Sequence, residues 1–181
     1  MKIMEEQLFQ KGCLPTKLKL LMLCACTTIL KSPYMHTVYS ITLEQGVSEK
    51  ELIEATSIAL LLGSTQLLQK YKLVLFHSIR EHSGNISEYE DEDMFFSQNN
   101  SEVNKKFSHF YASVYRNGLL SPREKELIAL AVSLSVRCVT CIDSHTNKAR
   151  IHGATDEEIS EAKEVGAHML GVRFDKNQIA L

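Results

Sequence analysis

Apolar residues recur along this chain at helical rather than strand spacing. Leu127, Leu130, Ala131 and Leu134 share one face of a 3.6-residue turn, and Ile159, Ala162 and Val165 mark another helix. Phe107, Phe110, Tyr111 and Val114 repeat the spacing. β-Branched residues such as Val74 and Ile79 stand singly, not in alternating runs of strand length. The pattern predicts an all-α protein.

Polar residues punctuate these helices. Ser121-Pro-Arg-Glu124 is a capping box with proline at the first helical position. Thr155-Asp-Glu-Glu158 and Ser48-Glu-Lys-Glu51 are two more boxes. A helix from about Cys138 to Ile151 is predicted to stop at Gly153, a left-handed C-terminal cap. Two further helices are predicted at about Thr65 to His82 and Ser101 to Arg116, the second ended by Asn117-Gly118. A polar, acidic loop around Ser83 to Asp93 separates them.

Sliding the chain on itself by 107 residues aligns two segments without a gap. Pro15 meets Pro122, Gly46 meets Gly153, Ser48 meets Thr155 and Glu51 meets Glu158. Leu52, Ala55 and Ile58 fall on Ile159, Ala162 and Val165. Chance matching of apolar residues would not readily place proline, glycine and a helix cap at one offset. The reading is a single all-helical domain holding a copy at about 15–63 and a second at about 121–171.

Composition narrows the class. A chain of 181 residues can bury one good core, or two fused halves of one fold. A net charge of -2 gives no reason to expect nucleic acid or an anionic membrane as partner. The acidic run Glu88 to Asp93 reads as a solvated loop. Five cysteines, an odd number, do not resemble a secreted disulfide framework. The apolar run Leu18 to Leu30 contains Lys19 and is too short to span a membrane as a helix. These features together point to a cytoplasmic protein.

The chemistry is concentrated in Cys138-Val-Thr-Cys141-Ile-Asp-Ser-His145, with Glu126 twelve residues ahead of the first cysteine. Two thiols three residues apart can close a disulfide. His145 lies one helical turn after Cys141, within reach as a proton acceptor. Glu126 is a second candidate base, able to approach Cys138 if the two helices pack antiparallel. A thiolate in the first turn of a helix faces unpaired backbone N–H groups and the positive end of the helix dipole, which lowers its pKa. At the 107-residue offset the other copy has Lys31, Tyr34, Val38 and Lys19 at these four positions, so only the second copy is reactive. Its Pro33 suits the first turn of a helix, which places the start of the matching helix near Cys138.

Two alternatives remain open on the residues alone. The cysteines could be core residues, and Cys138, Cys141 and His145 could supply three ligands to zinc with a remote fourth. Cys24 and Cys26 read as core and Cys13 as exposed. His77 with Glu81, and His168 with Glu164, read as helix-surface contacts, and His36, His82, His109 and His152 as surface or packing residues.

The pattern Glu-x11-Cys-x-x-Cys-x3-His from Glu126 to His145 resembles the active-site signature of the alkylhydroperoxidase D-like family, within the carboxymuconolactone decarboxylase superfamily. The specific match covers about Ser121 to Gly171. The resemblance implies an all-helical fold, often of duplicated units, assembled as trimers or hexamers. It implies that Cys141 attacks a hydroperoxide, that Cys138 donates a proton and then closes the disulfide, and that His145 and Glu126 relay protons. An external dithiol is then the implied reductant, and no metal, flavin or haem cofactor is required. Thr140 departs from the best-known peroxidases of the family, which have histidine between the cysteines. The decarboxylase branch lacks the cysteine pair. The expected activity is a thiol-dependent hydroperoxide reductase. The alternatives are a thiol–disulfide adaptor for another peroxidase, or a non-enzymatic redox-sensing or zinc-stabilised assembly protein.

Overall fold

The computed structural model describes residues 12–83 and 101–171, with side chains described for 12–67, 102 and 105–170. Seven helices and no strand occur among the described residues. They are α1 (Thr16–Ile29), α2 (Met35–Glu44), α3 (Glu49–Ser83), α4 (Ser101–Tyr115), α5 (Pro122–Ser135), α6 (Val139–Ile151) and α7 (Asp156–Gly171). The chain divides into two compact units, 1–60 with 117–181, and 61–116.

In the first unit α5 is the central helix, packed by α1, α6 and α7, and α1 also packs on α2 and α7. Leu127 to Val132 are all fully buried, so α5 is enclosed on every side rather than on the one face its spacing predicts. Gly166 of α7 makes that enclosure tight: a Cβ there would sit 3.1 Å from the Cα of Ala131 on α5. The three capping boxes form as predicted. Ser121, Ser48 and Thr155 each accept from the amide three residues on, and Glu124, Glu51 and Glu158 reach back. Gly46 and Gly153 both take positive φ, 81° and 87°, where other residues are strained.

In the second unit, the predicted apolar face of α4 carries ring contacts within the helix. Phe107 meets Phe110 edge-on at 6.5 Å, and Tyr111 stacks on Tyr115 at 4.9 Å.

Two local expectations change. The helix predicted from Thr65 is not separate, because α3 runs unbroken through Gly63, Ser64 and Thr65. Thr65 turns its hydroxyl to the Leu61 carbonyl instead of capping a new helix. Pro33 stands two residues ahead of α2 rather than in its first turn. The acidic run 88–93 and the side chains of His77, Glu81 and His82 lie outside the described residues.

Equivalent bonds recur between the two ends of this first unit. The amide of Ser32 donates to Thr27 and that of Cys138 to Ser133, each next to a residue with positive φ, Lys31 and Arg137. These bonds recur 106 residues apart, whereas Gly46 and Gly153 recur at 107. One extra residue is therefore taken up between Cys138 and the end of α6. In the first helix Glu126 then corresponds to Leu20, not Lys19, and the first copy still offers no acid or base there.

Candidate active site

The site is built where α5 and α6 pack together. A tight turn closes α5, with Arg137 at φ 57° and the Cys138 amide bonded back to Ser133. That turn delivers Cys138 as the N-cap of α6, in extended conformation, and Cys141 as the third residue of its first turn. The two cysteines are joined by a disulfide, with Cα atoms 5.2 Å apart. Both are half-buried. Thr140 is exposed, with its hydroxyl 3.6 Å from the Cys138 sulfur.

His145 follows Cys141 by one turn on the same helix face. Its Nδ1 lies 2.6 Å from Oε2 of Glu126, and both side chains are buried. Glu126 therefore reaches the histidine through this bond. A carboxylate on Nδ1 fixes the ring's orientation and favours the tautomer that leaves Nε2 as the accepting nitrogen. Burial makes the pair mutually dependent, since either charge left alone out of water is costly.

The electrostatics at the start of α6 favour an anion. The first turn contains no acidic residue, and Lys148 and Arg150 stand in the last turn. The dipole at the helix start is therefore not offset by a carboxylate of its own first turn.

A model of the carboxymuconolactone decarboxylase family matches residues 101–173, which hold α4 to α7 and all four site residues. That match spans 73 of the 181 residues. A Paracoccus denitrificans protein described as "uncharacterized protein 4 in cox locus" is 38% identical over 73 residues. Those residues are 40% of this chain and 66% of that relative. The crystal structure of a protein described as a gamma-carboxymuconolactone decarboxylase subunit of Burkholderia xenovorans LB400 superposes with a TM-score of 0.66. It covers 86% of this chain and 72% of its own at 22% identity, a likeness of fold.

The remaining cysteines are free thiols. Cys24 and Cys26 are fully buried in α1. Burial pushes their thiols up to about 11 and about 12, so both stay protonated and non-nucleophilic at neutral pH. Cys13 is exposed; desolvation and then the Glu161 carboxylate push its thiol up to about 11. No group of three His, Cys, Asp or Glu side chains is placed to hold a metal among the described residues. No helix there is long and apolar enough to cross a membrane.

Sequence reasoning missed two carboxylates that organise the unit, Glu54 and Glu161. Glu54 accepts from the amides of Leu119 and Leu120 at 2.7 and 3.2 Å, and lies 3.4 Å from Lys125 Nζ. Glu161 accepts from the Leu14 amide at 2.8 Å and the Cys13 thiol at 2.9 Å, and pairs with Lys19. The signal was present, because the two glutamates are themselves 107 residues apart.

Proposed function

We propose that the protein is a thiol-dependent hydroperoxide reductase. The observation that supports this reading best is the Cys138–Cys141 disulfide at the start of α6, with the buried Glu126–His145 pair on the adjoining face. In the reduced protein Cys141, one turn from His145, gives up its proton toward the imidazole. The thiolate attacks the outer oxygen of the hydroperoxide; the O–O bond breaks, and the alkoxide takes a proton and leaves as alcohol, or as water from hydrogen peroxide. Cys141 is then a sulfenic acid. The Cys138 sulfur attacks it, water leaves, and the disulfide closes. An external dithiol reduces the disulfide by exchange and is itself oxidised to a disulfide.

The duplicated-unit reading, about 15–63 and about 121–171, is supported by the recurrent bonds around Ser32 and Cys138 and by the paired glutamates. The second copy alone carries thiols, imidazole and carboxylate together. Like its implied trimer or hexamer, this organisation is part of the proposal.

The test is stopped-flow oxidation of the reduced protein by organic hydroperoxides and hydrogen peroxide. Reductase function predicts rapid loss of two thiols per chain, with release of one alcohol and one water from an organic hydroperoxide, or two waters from hydrogen peroxide. An adaptor would leave peroxide unconsumed while exchanging disulfides with a small dithiol. That second reading draws on the half-exposed disulfide, which a partner thiol can reach.

A further inference from the structure

Glu54 sits on α3, away from the residues assigned to chemistry, yet it grips the start of the helix that bears Glu126. Its oxygens take the amides of Leu119 and Leu120, immediately before the α5 capping box, and it pairs with Lys125, the neighbour of Glu126. Lys125 is only 2% exposed, so its ammonium depends on such partners. Gly118 completes the receptor: a Cβ there would collide with the Glu54 carboxylate. Desolvation opposes the charge of Glu54, but the two amides and Lys125 outweigh it and hold the carboxyl below its ordinary range.

The unit contains a second receptor of the same design. Glu161 takes the Leu14 amide and the Cys13 thiol, pairs with buried Lys19, and faces Gly12, where a Cβ would collide with the carboxylate. This one holds the start of α1, which bears neither Glu126 nor His145. The molecule thus supplies its own control.

We propose that Glu54 is a positioning residue for the Glu126–His145 pair, through its hold on residues 118–125. The proposal rests on the reading that this pair serves the cysteines. A bond of 2.6 Å between two buried side chains on different helices tolerates little displacement of α5 relative to α6. Glu54 fixes α5 at the turn just before Glu126, where the Ser121 capping box and the Arg123–Glu158 ion pair also act. Release of that turn moves Glu126 off the imidazole, whereas release of the Glu161 receptor disturbs α1.

The experiment compares two matched pairs, Glu54→Gln with Glu161→Gln and Gly118→Ala with Gly12→Ala. The alanines evict the carboxylates while keeping their charge. Two readouts are followed in the full-length protein: the imidazole N–H resonances of His145 by NMR, and iodoacetamide alkylation of reduced Cys138 and Cys141 at neutral pH, read on the peptide that holds both. All four variants should lose stability. Only Glu54→Gln and Gly118→Ala should shift the His145 signals and slow alkylation, by about 10-fold or more, since small misplacements can cost ~100-fold. Equal effects from both receptors, or unchanged His145 signals in the Glu54 and Gly118 variants, would overturn the proposal. Should Glu54→Gln not fold, Gly118→Ala against Gly12→Ala decides the matter alone. If His145→Gln alkylates like the parent, the base reading fails, while the NMR comparison still judges Glu54.

Discussion

At the scale of residues, the proposed chemistry turns on the buried His145–Glu126 pair. Burial makes each side chain depend on the other, and the shared helix face ties the imidazole to Cys141. Replacing either with glutamine should slow thiol oxidation at neutral pH far more than at high pH, where cysteine ionises without a base. A general base contributes ~100- to 10,000-fold, so rate–pH profiles of His145→Gln and Glu126→Gln should part widely from the parent on the neutral side. Profiles that superimpose on the parent would remove the pair from the mechanism. The sequence singled out Cys138, Cys141 and His145 because their spacing is local, one turn between Cys141 and His145, whereas Glu126 lies 19 residues from His145 on another helix. It did not reveal that Glu126 binds the imidazole, because that contact depends on how two helices pack. Nor did it reveal Glu54, which acts on a loop 65 residues away.

At the scale of elements, local rules carried far and tertiary packing decided the rest. Capping boxes at Ser48, Ser121 and Thr155 set three helix starts, since each satisfies its own backbone amides without help from the fold. The start of α6 at Cys138 follows from the turn at Arg137, and spacing placed it within a residue. The unbroken α3 was not legible, because Gly63-Ser64-Thr65 reads as a break. Glycine in a helix costs only about 1 kcal/mol, which buried Leu61 and Leu62 just ahead of it readily offset. The enclosure of α5 was hidden for a similar reason: its apolar stripe shows one face, while Leu127 to Val132 are buried all round among α1, α6 and α7. Gly166 is the sharpest test of that packing. Gly166→Ala should destabilise the protein by roughly 1–3 kcal/mol in denaturant titration, as overpacking of a tight core does. A gain in stability, as expected for alanine in an uncrowded helix, would show that α7 does not approach Ala131 so closely.

At the scale of the whole molecule, stability should depend on the glutamates that tie distant stretches of the first unit together. Glu51, Glu54 and Glu161 are all held below the ordinary carboxylate value. For Glu51 the Lys17 ammonium leads, against desolvation. For Glu54 and Glu161 desolvation is the largest influence, and their hydrogen bonds and lysines together overcome it. A depressed folded-state pKa stabilises fully above the unfolded value near 4.5, and that contribution is lost as pH falls through the lower folded values. Stability should therefore drop steeply below about pH 4.5. Glu161→Gln should be less stable near neutrality and show a shallower acid limb in melting temperature against pH. An acid limb identical to the parent's would mean that Glu161 contributes nothing as a charge.

The proposed chemistry stands on two roles: Cys141 reduces the hydroperoxide and Cys138 closes the disulfide. Both are read at once by mass spectrometry of Cys141→Ser and Cys138→Ser after the reduced proteins meet one equivalent of hydroperoxide. Cys141→Ser should consume no peroxide. Cys138→Ser should undergo one oxidation, trapped as a sulfenic acid on Cys141. Equal turnover by both variants, or a parent whose Cys138 and Cys141 remain free thiols after peroxide, would contradict these roles.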